Sequence, residues 1–339
     1  MTDAQQAGTI FQTPAWLAFL TETQQGELVL ARLKDGDDVR GLFAGVIVNK
    51  YGVRILGSPF PGWSTDYMGL MLSPGVVRRG AIEALMEFAF HQLGCLHFEM
   101  MDRQITETDL ADLGVRYRLY RSFEVDLSQN ESDLFSKMTS ACRRCIRKAE
   151  KEGVFVEEAH DSAFADEYYA QLQDVFAKQA LLPTYGIERV RRLIYHLQPI
   201  GQLLLLRARD RTGRCIATGI FPYWSGVMYF WGGASWRHSQ CLRPNEVLQW
   251  HAMRIGKSRD IRIYDLGGGG EYKRKYGGAD VAVPWFHKSK YGWVRCLREW
   301  AERGHKIRRE GRGQLVRLLG RSLSRGEQGT GSMSQVTQR

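Results

Sequence analysis

Six cysteines are scattered through 339 residues, and only Cys142 and Cys145 stand as a C-x-x-C pair. A zinc framework needs a second such pair, so no metal is expected, and the six read as reduced thiols of a cytosolic protein. Eight histidines give neither H-x-x-x-H nor H-E-x-x-H. There is no G-x-S-x-G elbow, which leaves hydrolase chemistry through a serine nucleophile without support. Apolar runs such as Leu42 to Val48 and Leu203 to Leu206 fall far short of a membrane span. Met1 to Gly8 lacks a charged n-region and an apolar core, so no secretory signal is expected either. These absences point to a cytoplasmic protein.

The charge is present but uneven. Of a formal +10, residues 301–339 hold nine Lys/Arg against three Glu. Residues 137–151 hold six basic residues against one Glu. Basicity therefore comes as two patches. A hydrophobic share of 44% and a charged share of 25% are those of an ordinary globular chain, and the length suits two lobes.

The most unusual stretch is Tyr264-Asp265-Leu266 followed by four glycines and Glu271-Tyr272-Lys273-Arg274-Lys275-Tyr276-Gly277-Gly278. Ile261, Ile263 and Leu266 read as a short buried strand, after which the glycines free the backbone from side-chain sterics. A dinucleotide loop would need a spaced G-x-G-x-x-G opening a helix, and these glycines are contiguous. What remains is a loop that can approach a ligand closely, with Asp265 before it and the cation of Lys273 after it. A plain solvent loop with incidental lysines is the competing reading.

Residues 9–125 read as an α+β unit. Short strands are expected at Leu28 to Leu33, Leu42 to Asn49, Arg54 to Leu56, Leu96 to Met100 and Arg121 to Leu127, and a helix over Val76 to Leu93. A second unit repeats this order from Ser128. Its helices are expected over Leu134 to Gly153 (capped by Ser132), Phe164 to Gln179 and Ile187 to Leu197. Strands follow at Gln202 to Arg209, Cys215 to Trp224 and Val227 to Ala234, the last two joined by a tight Ser225-Gly226 turn. Pro244 fits the first turn of a helix reaching about Lys257, and Ile261 to Leu266 is expected as the last strand. The stretch from Gln328 to Arg339 reads as disordered.

Five segments in order resemble the FemAB-like acyltransferases, tandem relatives of the GNAT acetyltransferase fold. Tyr272-Lys273 with Tyr276-Gly277 resembles that family's aromatic–Lys–x–x–aromatic–Gly signature. Phe11-Gln12-Thr13-Pro14-Ala15-Trp16 resembles its opening motif, and Ala141 to Val154 its basic helix. Gly232-Gly233-Ala234-Ser235, then Pro244-Asn245 with Leu248-Gln249-Trp250, resemble its tract before the final strand. The similarity covers roughly residues 9 to 290. It implies an α+β fold of two tandem GNAT-like lobes, mixed sheets flanked by helices, at 1–125 and 126–300, with a basic tail at 301–339.

The resemblance implies direct acyl transfer to an amine of a cell-envelope or exopolysaccharide precursor, small or lipid-linked. Acyl-CoA is the expected co-substrate, with no cofactor bound permanently; aminoacyl-tRNA is the alternative donor and would make tRNA a partner. A non-catalytic protein that binds nucleic acid or envelope polymer is a third possibility. Direct transfer needs positioning, an oxyanion stabiliser and a proton acceptor, with no covalent nucleophile. Lys273 is the candidate cation for the oxyanion or a phosphate, and Asp265 or Asp66 for orienting the amine. On a helical wheel Arg143, Arg144, Arg147, Lys148 and Lys151 fall within about 140° of one another. The first four are candidate phosphate ligands, against the simpler reading of a solvated basic face. The loop from Ser58 to Gly69 displays Trp63, Thr65, Asp66 and Tyr67 as a candidate acceptor pocket, or as packing between lobes. Tyr272 and Arg274 flank the candidate lysine, and Asn245 is placed to help hold the donor. The usual GNAT pyrophosphate loop is absent, and Arg237 to Asn245 occupies its place. The apolar residues among the tail's arginines, such as Leu315 and Leu318, suit peripheral contact with the inner face of an anionic membrane; a basic tail with a short frayed helix is the simpler reading.

Overall fold

A computed structural model describes residues 8–50, 52–178, 181–268 and 270–300 of the chain. The tail expected at 301–339, with its apolar residues, lies outside them. The chain enters through helix α1 (Pro14–Gln24), whose start is fixed locally: Thr13 accepts from the Trp16 amide and Pro14 sits at the first helical position. Strands β1 (Glu27–Asp35), β2 (Asp38–Lys50) and β3 (Val53–Ser58) then form an antiparallel meander. After a long loop, β4 (Leu70–Leu72) pairs with the length of β2 that β3 leaves open. Helix α2 (Arg78–Glu87) crosses over, and β5 (His97–Met101) returns parallel to β3. Helix α3 (Glu107–Leu110) and β6 (Arg116–Asp126) close the first half.

The second half opens with α4 (Glu131–Lys137), α5 (Ser140–Lys151), β7 (Phe155–Glu158), α6 (Phe164–Ala177) and α7 (Ile187–Leu197). It then repeats the pairing scheme of the first. Strands β8 (Leu203–Arg209), β9 (Cys215–Trp224) and β10 (Val227–Tyr229) form a meander, and β11 (Gly232–Ser235) pairs with the rest of β9. Helix α8 (Pro244–Ser258) crosses over, and β12 (Ile263–Asp265) returns parallel to β10. The duplication expected from element order is present in the ladder itself.

The halves are sewn together by two strands. Strand β12 pairs with β6, β5 pairs with β13 (Ala279–Ser289), and β6 and β13 pair with each other. Each half's parallel strand is thus flanked by a strand from the other half, and one sheet of thirteen strands results. A single core cluster also crosses the division, with Trp16, Phe19 and Leu20 of α1 packed among Val190, Leu193 and Leu197 of α7.

Several expectations are corrected. Ile261 to Leu266 is not the last strand, because β13 follows; its Pro284 disguises it as a loop. The helix expected over Leu134 to Gly153 is two helices, since Met138 and Thr139 are extended and Thr139 caps α5 by accepting from the Cys142 amide. The first of them is capped by Asn130 rather than Ser132. The buried side of α5 is formed by Cys142, Ile146 and Ala149. Val227 to Ala234 is interrupted at Phe230 and Trp231. The helix expected to Leu93 ends as a π-turn at Phe88–Gln92.

Candidate active site

Register alone brings three polar side chains into one row. Asp265 on β12 stands in parallel register with Tyr229 on β10 and opposite Glu124 on β6. Partners in register share a face of the sheet, so all three project to the same side. Ser122, two residues before Glu124, joins that face.

Asp265 is 1% exposed and fully engaged. Its Oδ1 accepts from Ser122 Oγ at 2.7 Å and from the Gly267 amide at 2.7 Å, and its Oδ2 accepts from Tyr67 Oη at 2.8 Å. Beyond this point the parallel pair β10–β12 divides. The Phe230 amide still reaches Asp265 O at 2.8 Å, but the Trp231 amide turns to Ile220 O on β9, and β12 gives way to the glycine loop. A fork opens between the two strands with Asp265 at its base.

Lys273 lies in a 3-10 turn, Glu271–Tyr276, just past that loop. It is buried, and its Nζ donates to the carbonyls of Leu266 at 2.6 Å, Gly268 at 2.8 Å and Gly267 at 3.3 Å. An ammonium has three donors, and all three are taken. Burial lowers its pKa, while the charges of Asp265 and Asp66 work against that fall. The expected free cation is therefore a clamp that fixes the loop.

The loop after β3 supplies the facing wall. Tyr67 is buried with a left-handed backbone (φ 38°), and its phenol, pushed well above the usual value by burial and then by Asp265, stays protonated as donor. Two residues on, Gly69 has φ 50°, and a Cβ there would come within 2.7 Å of the Asp102 carboxyl carbon. Thr65 is buried and accepts from Trp16 Nε1 at 3.3 Å. Trp63 packs on Phe60 and gives its carbonyl to Arg189. Those two are thus engaged in packing, whereas Asp66 is not. Its carboxyl is half-buried and takes no hydrogen bond among the described residues. Burial first, then the Asp265 charge, raise its pKa to about 7 against the pull of Lys273.

Glu124, which no motif marked, behaves alike. Burial raises it to about 7, with Asp265 adding to the rise and its ion-pair partner Arg103 opposing it. Arg103 in turn lies over the Tyr67 ring, 5.1 Å from its centroid. Arg103, Tyr67 and Tyr229 stand together in the wall of a cleft of about 800 Å³, whose further lining includes Gln12, Arg78 and Val281. Asp66 and Glu124 do not themselves line the cleft but adjoin residues that do, Tyr67 in sequence and Arg103 by ion pair. Carboxyls raised towards neutrality suit the taking and passing on of a proton.

The other sequence candidates lie around this centre. Asn245 Nδ2 donates to Ser235 Oγ at 3.1 Å, tying the start of α8 to the end of β11. The α8 first turn also carries Glu246, paired with Lys275 at 2.7 Å, and follows Arg243, an exposed residue with φ 60°. Tyr272 is exposed, and Arg274 pairs with Glu271 and Asp280. Arg144, Arg147 and Lys148 are exposed on α5 and form no ion pair among the described residues. Arg143 turns back instead, donating to Ser136 O at 2.6 Å and so capping α4. No His/Cys/Asp/Glu group among the described residues is arranged to hold a metal.

The family model described as "Acetyltransferase (GNAT) domain" matches residues 136–276, the stretch that holds α5, the fork and the clamp. Residues 136–276 therefore form a GNAT acetyltransferase domain. The fold of the whole chain resembles that of FemX, whose crystal structure aligns with a TM-score of 0.69 at 12% identity over 87% of this chain and 96% of that one. The C-terminal domain of a putative lysylphosphatidylglycerol synthetase from Agrobacterium fabrum aligns at 0.58 and 10% identity, over 90% and 93%. A tandem GNAT protein from the clavulanic acid pathway aligns at 0.53 and 11%, over 84% and 91%. No curated protein sequence matches the chain. At these identities the likeness to solved structures is one of fold.

Proposed function

We propose that this acyltransferase moves an acyl group directly from acyl-CoA to an amine of a cell-envelope or exopolysaccharide precursor. The observation that carries the reading is the free, half-titrated carboxyl of Asp66 beside the β10–β12 fork. The amine nitrogen attacks the acyl carbonyl, a C–N bond forms, and the C–S bond breaks as the thiol leaves. The proton released by the nitrogen goes to Asp66, and from there to the departing sulfur. A carboxyl held near 7 suits both transfers at neutral pH.

Asp265 and Lys273 act as positioning residues. Asp265 ties the Ser58 to Gly69 loop to the fork, and Lys273 fixes the glycine loop while keeping its charge near Asp66. Arg103 and Tyr229 present the acceptor side of the cleft, with Tyr67 between them and Asp265. In this reading Arg243 and Asn245, at the start of α8, meet a phosphate of the donor; the exposure of Arg243 supports it. Lobes at 1–125 and 126–300, exchanging β6 and β13, form part of the same proposal. An envelope acceptor is supported by the fold shared with FemX and with the synthetase domain.

A second donor, aminoacyl-tRNA, is favoured by one observation: Arg144, Arg147, Lys148 and Lys151 are exposed along α5 without acidic partners among the described residues. Such a face binds a nucleic-acid backbone. Calorimetric titration with acetyl-CoA, against coenzyme A as control, separates the two. Saturable micromolar binding is the expected result. Absence of heat with acetyl-CoA, together with acyl transfer from charged tRNA, would replace the first donor by the second.

A further inference from the structure

Strand β13 runs within the sheet between β5 and β6, from the cleft, where Val281 lines the wall, to Ser289. Eight residues of strand, at about 3.3 Å each, separate the two by about 26 Å. Past Ser289 the chain is helical over residues 292–300. One side of this helix is tied to the sheet. Val294 is buried, Arg298 reaches Glu99 of β5 at 2.6 Å and lies over Trp285, and Glu299 pairs with Arg116 of β6 at 2.6 Å.

The other side has no such explanation. Trp293, Leu297 and Trp300 are 57%, 41% and 74% exposed, with Tyr291 at 47% just before them. Positions i, i+4 and i+7 align on one helix face, so the inward anchors and the outward apolar stripe are opposite sides of one amphipathic element. Two large indoles held in water are costly surface for a monomer, and Trp is the residue that settles at a bilayer's interface. The sequence around the stripe is net positive. Arg295 is exposed beside it, and residues 301–321 add Arg303, Lys306, Arg308, Arg309, Arg312, Arg317 and Arg321 against Glu302 and Glu310.

We propose that Trp293, Leu297 and Trp300, with Arg295 beside them, form a docking surface for an anionic lipid bilayer. Apolar anchoring and electrostatic attraction together give stable peripheral binding where either alone is weak. Because the docking helix and the cleft share β13, the bilayer would stand at a fixed distance from the site, which suits a lipid-linked acceptor under the function proposed above. The surface itself does not depend on that function, and its test has no activity readout.

The full-length chain would be sedimented with vesicles of phosphatidylglycerol and phosphatidylcholine, and with phosphatidylcholine alone. Binding only to the anionic vesicles, weakened by salt, is expected. The triple variant Trp293→Ser, Leu297→Ser, Trp300→Ser should bind at least tenfold more weakly. Leu182→Ser, which removes another exposed leucine (86%), should bind as the parent does. Should the triple variant fail to fold, tryptophan quenching of the parent by brominated acyl chains decides, and no quenching overturns the proposal. It is equally overturned by absence of anionic-vesicle binding, or by a triple variant that binds normally. A parent that is dimeric and ignores vesicles, with a monomeric triple variant, would make the stripe a contact between copies.

Discussion

The hydroxyl of Tyr67 donates to Asp265 Oδ2 at 2.8 Å, joining residues 198 apart in the chain. This bond holds the loop after β3, in the first half, against the fork of the second. Tyr67→Phe keeps the ring and the left-handed backbone while removing only the donor, and Asp265 retains Ser122 and Gly267. A hydrogen bond to a buried carboxylate is worth about 1.5–3 kcal/mol. The variant should therefore lose about that much unfolding free energy and show a lower denaturant midpoint. An unchanged midpoint would mean that the bond does not hold the halves together.

Asp66 sets the pH dependence of the reaction under the proposed function. A base acts only when deprotonated, so kcat/KM should rise with pH through about 7, with an acceptor amine whose own pKa lies well away from that value. Asp66→Asn should lose that rising limb and fall in rate by about 10²–10⁴-fold. A variant that keeps the limb would move the role to Glu124, the other carboxyl raised to about 7.

Lys273 tests whether the clamp acts by shape or by charge. Lys273→Arg keeps the charge, but a planar guanidinium cannot place three donors where one ammonium meets three carbonyls. Both Lys273→Arg and Lys273→Met should lose activity, by about 10²–10³-fold if the cation also supports the transition state. They should differ in one respect. The Lys273 charge holds Asp66 down, so in Lys273→Met the rising limb of the pH profile should move upward. Lys273→Arg should leave it near its place. A wild-type rate in either variant sinks the assignment.

What the sequence revealed and what it hid follow from the range of the forces involved. The Ser225-Gly226 turn was legible because both residues take a left-handed backbone, at φ 48° and 76°, and such turns carry local composition. The start of α8 was legible from Pro244 in the same way. Strand β13 was not, because Pro284 breaks the strand pattern and its partners, such as Met101 and Tyr120, lie more than 160 residues away. The duplication showed only as an order of elements, since pairing to β2 and β9 constrains backbone rather than side-chain identity.

The site divides along the same line. Asp265 and Lys273 sit in one distinctive segment and could be singled out. Glu124, Arg103 and Tyr229 come from three separate strands or strand ends, each a single polar residue within an unremarkable stretch. Only the register of β6, β12 and β10 brings Glu124 and Tyr229 beside Asp265. Conversely, Thr65 and Trp63 looked displayed because their loop is rich in proline and glycine, yet Trp16 and Arg189 engage them.

Stability should carry the mark of the two raised carboxyls. Asp66 moves from 3.8 and Glu124 from 4.5, each to about 7, so both bind more protons in the folded state than in the unfolded chain. Their contribution is complete below about pH 4 and is lost as pH rises through 7, with a limiting slope of about 1.4 kcal/mol per pH unit for each group. The denaturant midpoint should therefore fall between pH 5 and pH 8. Asp66→Asn should remove about half of that slope and leave the protein at least as stable at pH 8. Glu124→Gln should also flatten the curve, but from a lower level throughout, because Arg103 loses its carboxylate while remaining largely buried. Midpoints at four pH values for the three proteins decide it, and a flat wild-type curve would show that neither carboxyl is held protonated in the fold.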